Sequence, residues 1–103
     1  VASQVTITSA ATLSWNAAGI FQYLLTNGSA AVALTFTNAS VGQTIFILFQ
    51  QASTTTATTV TFPTGSIVAG TAGVTKVLTN TNSAIDVIRV TCTAPGVYLA
   101  TFN

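Results

Sequence analysis

The apolar runs of this chain are all short. Each is cut within a few residues by Thr, Ser, Asn or Gly. What survives the cutting is a set of short segments in which apolar and hydroxyl side chains alternate, the period-two pattern of half-buried strands. Thr supplies about one residue in five, and together with Val, Ile and Phe it biases the chain strongly toward extended structure. Helix candidates are nearly absent.

Read along the chain, Gln4 to Ser9 sets Val5 and Ile7 against Thr6 and Thr8, and Thr12 to Trp15 alternates again. Phe21 to Thr26 and Ala31 to Asn38 flank Asn27-Gly28. That dipeptide suits the positive φ angles of a type I′ turn and predicts a β-hairpin. In its second strand Val32, Leu34 and Phe36 share one face, and Ala33, Thr35 and Thr37 the other. Thr44 to Gln51 reads Thr-Ile-Phe-Ile-Leu-Phe-Gln-Gln, a continuous run typical of a strand buried on both faces, with Ile45, Ile47 and Phe49 opposed to Phe46 and Leu48. These five residues are the candidate interface: a central strand, or an edge covered by a neighbouring subunit.

Ala52 to Thr59 reads as a loop. A short strand over Thr59 to Phe62 stops at Pro63, which lacks a ladder donor. Further short segments surround Ile67-Val68 and Lys76 to Thr79, and Ala84 to Thr93 pairs with Val97 to Phe102 across Ala94-Pro95-Gly96. About eight strands at this spacing predict an all-β fold, a single antiparallel β-sandwich of jelly-roll type spanning residues 1–103 as one domain. A chain of 103 residues supplies one core of ordinary size.

Only Lys76, Asp86 and Arg89 are ionised side chains, 3% of the chain, with a net charge of +1. Soluble domains carry roughly a quarter charged residues, so an exterior this neutral predicts a subunit packed against copies of itself or built into a larger assembly. All three charges fall late in the chain, leaving the earlier strands free to meet other subunits without desolvating an ion. Two cations exclude a nucleic-acid footprint. No stretch of about 20 apolar residues exists to cross a membrane as a helix, and the strands are short for a monomeric membrane barrel. With Val1 first and no basic segment before an apolar one, no secretory signal is expected, and the chain reads as a processed product or an excised domain.

Lone Cys92 cannot form an internal disulfide and reads as a small buried hydrophobe. The absence of His, of Met and of a second Cys removes most metal sites and nearly all nucleophile–base sets, and no cofactor is expected. Asp86 and Arg89, three apart on one strand, point to opposite faces. Asp86 shares its face with Ile88, Val90 and Cys92, and is expected to accept structural hydrogen bonds from loop amides or hydroxyls. Arg89 and Lys76 are expected to reach a neighbour's Asp86 or an interface rim. Trp15, Tyr23 and Tyr98 join an aromatic body to a polar tip, so they are the candidates for stacking on a glycan, although core packing explains each of them too. Asn27-Gly28-Ser29 and Asn38-Ala39-Ser40 match the N-glycosylation triplet at turns.

From Ser29 to Asn103 the order of segments is specific: AVALTFTN, VGQTIFILFQQ, TTVTFP, IVAGTAGVTKVLT, NSAIDVIRVT and GVYLATF. With its landmarks Gly42, Thr44, Pro63, Gly70 and Asp86, this order resembles the small β-rich domains of bacteriophage tail fibres, spikes and other virion structural proteins. The resemblance implies a β-sandwich subunit, commonly trimeric, in an appendage or capsid on the particle surface, where it meets neighbouring virion proteins or a host receptor. It implies no catalytic residues. Ala94-Pro95-Gly96 departs from the pattern, which places an acidic or amide residue before the last glycine.

Three functions follow as expectations. The first is a self-assembling virion structural protein with a homotrimer favoured, and the second a glycan-binding module. The third is a pilus-like extracellular filament subunit whose uncharged segment Val1 to Ala10 is donated to the next copy's sheet. An enzyme is excluded by the lack of an acid, base and nucleophile set.

Overall fold

A computed structural model describes residues 4–7, 10–25, 31–51, 59–69, 73–79 and 83–102. The described residues form ten strands and no helix: β1 (Val5–Ile7), β2 (Ala10–Ser14), β3 (Ile20–Leu25), β4 (Ala31–Thr37), β5 (Thr44–Gln51), β6 (Thr59–Thr61), β7 (Ser66–Val68), β8 (Thr75–Val77), β9 (Ile85–Ala94) and β10 (Val97–Phe102). Every alternating segment of the sequence is a strand, including the short ones around Ile67 and Lys76 that take the number from eight to ten. Asn27, Gly28, Gly70 and most of the expected loop at 52–58 lie outside the described residues.

The strands make a six-stranded sheet, β1-β3-β5-β9-β10-β7, and a four-stranded sheet, β2-β4-β6-β8. From β1 to β8 the chain changes sheet at every step. Up to β6, successive strands of one sheet are then separated by a strand of the other and run the same way. β1 pairs β3, β3 pairs β5, β2 pairs β4 and β4 pairs β6, all in parallel. The intervening strand supplies the long crossover that parallel pairing requires. Antiparallel pairing is confined to β5–β9, β9–β10 and β6–β8.

This winding corrects two expectations. The pairing is mixed, with more parallel than antiparallel contacts. The hairpin across Asn27-Gly28 does not form, because β3 is held by β1 and β5 while β4 is held in the other sheet by β2 and β6. Turn chemistry specifies a reversal of direction but not the sheet in which the returning strand lands.

One apolar core joins the sheets. Leu13, Val32, Leu34, Phe36 and Val60 enter from the four-stranded sheet, and Phe21, Tyr23, Ile45, Ile47, Phe49, Ile88 and Val90 from the six-stranded one. An aromatic chain crosses it: the Trp15 and Phe36 ring centroids lie 5.4 Å apart, those of Phe36 and Tyr98 4.9 Å, and those of Phe62 and Phe102 6.2 Å. These edge-on and tilted geometries are the favoured ones for rings.

The β9–β10 turn at Pro95-Gly96 does form a hairpin, with Gly96 at φ 73°, as a type II turn demands. It abuts the turn before β7, where Ser66 N donates to Pro63 O at 3.1 Å and Gly65 holds φ 95°. A methyl on Gly65 would lie 2.5 Å from the Gly96 carbonyl oxygen. Only glycine fits there.

Candidate functional site

Alternation along β5 divides the candidate interface in two. Ile45, Ile47 and Phe49 point inward and are fully buried, whereas Phe46 and Leu48 point out of the sheet. The expectation of burial on both faces is therefore corrected within one subunit. So is the covered-edge alternative, since β5 lies between β3 and β9. Three of the five residues belong to the core and cannot contact another molecule; Phe46 and Leu48 can.

Strand register gathers further apolar side chains around them. Phe46 stands opposite Ile20 on β3 and Arg89 on β9, and Leu48 opposite Val87. Beyond Thr91, Leu99 on β10 stands opposite Ile67 on β7. Phe46 is 40% exposed, Leu99 37%, Ile85 50% and Ile67 57%. These four side chains alone leave on the order of 300 Å² of apolar surface in water, comparable to the largest apolar patch of an ordinary monomer. Covering it is worth roughly 8 kcal/mol before the costs of association.

Ile20, Ile67, Ile85, Val87 and Leu99 are missing from the sequence reading of this surface. The sequence signals two of them, Ile85 and Val87: Ile85-Asp86-Val87-Ile88-Arg89-Val90 carries apolar residues at both odd and even positions, so one set faces outward.

The opposite surface differs. Strand register on the four-stranded sheet aligns Thr12 with Thr35, Ser14 with Thr37, and Thr61 with Thr75. The Thr61 and Thr75 hydroxyls lie 3.2 Å apart. This face is hydroxylated and carries no charge among these residues.

The three ionised side chains occupy separate environments. Asp86 is buried, and its two oxygens accept hydrogen bonds from Thr79, from the backbone N–H at 2.8 Å and the hydroxyl at 2.8 Å. Those bonds fasten the exit of β8 to β9, and they leave no carboxylate for a neighbour's Arg89 or Lys76 to reach. That expectation is corrected by the burial. Lys76 turns toward the β8 margin of the core, with Nζ 5.4 Å from the centre of the Phe102 ring, a cation–π contact. Arg89 is exposed on the outer face.

Burial also corrects the glycan platform. Trp15 and Tyr23 lie in the core, Tyr23 stacked on Phe49 with centroids 5.6 Å apart. Burial pushes the Tyr23 hydroxyl above its usual value of 10.0. Tyr98 is half-buried against Trp15 and Phe36, so no solvent-facing ring cluster forms from these three. Cys92 is buried, its thiol 3.3 Å from the Ala94 carbonyl.

Asn38 takes φ 60°, and its Nδ2 donates to the Ser14 hydroxyl at 2.9 Å. The nitrogen that a glycan would occupy thus ties the end of β4 to β2. Of the segment proposed for donation, Val5–Ile7 pairs with β3 and Ala10 with Ala33, both within the same subunit. Among the described residues no three His, Cys, Asp or Glu side chains come together as metal ligands. Compared with the profiles of known protein families, with curated proteins and with solved structures, the chain matches none.

Proposed function

We propose that this chain is a structural subunit of a bacteriophage virion, a β-sandwich module of an appendage, spike or capsid-associated protein. It assembles with copies of itself, a homotrimer favoured, and stands on the particle surface within reach of the host. It is not an enzyme in this reading and uses no cofactor. The observation that carries the proposal is the near-absence of charge, three ionised side chains in 103 residues, together with the exposed Phe46, Ile67, Ile85 and Leu99 on the outer face of the six-stranded sheet, which suit burial against another component of an assembly. The order of segments from Ser29 onward, which resembles that of virion β-domains, supports it. The hydroxylated face and the uncharged early strands give copies places to meet without desolvating an ion.

Immunogold electron microscopy of purified particles tests the location. Antibodies raised against the folded chain are expected to decorate one fixed position on each particle. Particles that remain unlabelled, while the antigen is abundant in the lysate, would refute it.

A further inference from the structure

Arg89 stands near the middle of the outer face of the six-stranded sheet. Phe46 and Thr101 flank it on the adjacent strands, the Leu48–Val87 pair lies to one side, and the hydroxyl-bonded Thr44–Thr91 pair, with Leu99 and Ile67 next to it, lies to the other. It is the one ionised side chain among these residues. The only Asp or Glu in the chain is Asp86, which is buried on the opposite side of β9 with both oxygens held by Thr79. No side chain on the surface of these 103 residues can therefore present a carboxylate to Arg89.

We propose that this face docks a different protein, through a surface that sets a carboxylate within an apolar field, and that Arg89 selects that surface. The proposal rests on reading the chain as an assembled subunit and names the partner of its apolar face. A second copy is a poor occupant. Two such faces related by a two-fold axis through the sheet centre would bring Arg89 against Arg89. Any other patch of a copy would desolvate the guanidinium without an opposing charge. Copies therefore meet through the uncharged surfaces, and this face is left for another component.

A lipid surface fits badly as well. Interfacial segments keep cations on the polar side of the apolar contact, whereas here the cation occupies the centre of the field and would be driven deepest. A carboxylate fixed on a protein meets the guanidinium fork in bidentate fashion while its apolar surroundings cover Phe46, Leu48 and Leu99.

The probe is decanoate, with decanol as its neutral counterpart, each titrated below its aggregation threshold into the intact protein and followed by amide chemical shifts. Decanoate is expected to shift Phe46, Val87, Arg89 and Leu99 and to bind about tenfold more tightly than decanol, a preference that Arg89→Gln abolishes while the urea midpoint stays in place. Equal binding of the two probes, shifts confined to other surfaces, or a preference that survives in Arg89→Gln overturns the proposal. So does Arg89-dependent sedimentation with vesicles of phosphatidylglycerol and phosphatidylcholine, which would assign the face to lipid. A monomeric mass in solution would refute self-assembly and leave the decanoate preference intact, so the two readings fail separately.

Discussion

Replacing Ile47 by Ala, and separately its neighbour Phe46 by Thr, sets two adjacent positions of one strand against each other. Ile47 is fully buried and stands between Phe21 and Ile88 in the six-stranded sheet. Removing three carbons forfeits roughly 2.4 kcal/mol of transfer free energy. The cavity left among strands that cannot close on it adds roughly 1–2 kcal/mol, for a total of ~3–4 kcal/mol. In a domain of this size that is a fall in Tm of roughly 12–30 °C. Phe46, two-fifths exposed on the other face, loses cross-strand contacts with Ile20 and Arg89 and is expected to cost about 1 kcal/mol. Urea unfolding followed by fluorescence of the single Trp, buried Trp15, reads both. The m-value should be unchanged, and repetition at a lower protein concentration separates subunit dissociation from unfolding. If Phe46→Thr costs as much as Ile47→Ala in the dissociated chain, the assignment of inner and outer faces to β5 is wrong.

Three further outcomes are expected. Gly65→Ala forces a methyl against the Gly96 carbonyl at a positive φ and should destabilise by about 2 kcal/mol or more in the same assay; a neutral result would mean that the two turns do not abut. Asp86→Ala removes both acceptors from Thr79 and should cost about 2 kcal/mol, while Asp86→Asn, which keeps one acceptor, should cost less; equal effects would count against the two-bond clasp. Tyr23 holds its proton more tightly when folded than when unfolded, so its stabilising contribution is complete below about pH 10 and declines as pH rises through the folded value. The urea midpoint should therefore fall above pH 10, and Tyr23→Phe should remove that part of the fall; an identical pH profile in the variant would refute the assignment.

Strand positions were legible from the sequence because alternation is a local property, and each alternating segment from Val5 to Phe102 became a strand. Pairing was not. Asn27-Gly28 invited a hairpin that the sheets do not contain, since a turn signal is silent about the tertiary choice between landing beside the preceding strand and crossing the core. The direction of Asp86 followed from the face it shares with Ile88 and Val90, and Thr79 is its donor. Phe46 and Leu48 entered through an apolar run, but Ile67 and Leu99 join them only because β7 pairs β10 across a long separation in sequence, which no local pattern records. Trp15 and Tyr23 carried polar tips consistent with a glycan platform, yet a core this small between two sheets absorbs its large rings.

Sedimentation equilibrium of the folded chain over a range of concentrations tests most directly the claim that this neutral surface belongs to an assembly. The account predicts a mass that is a fixed multiple of the 10.5 kDa chain, a trimer favoured. A monodisperse species at the mass of one chain, at every concentration, would contradict it.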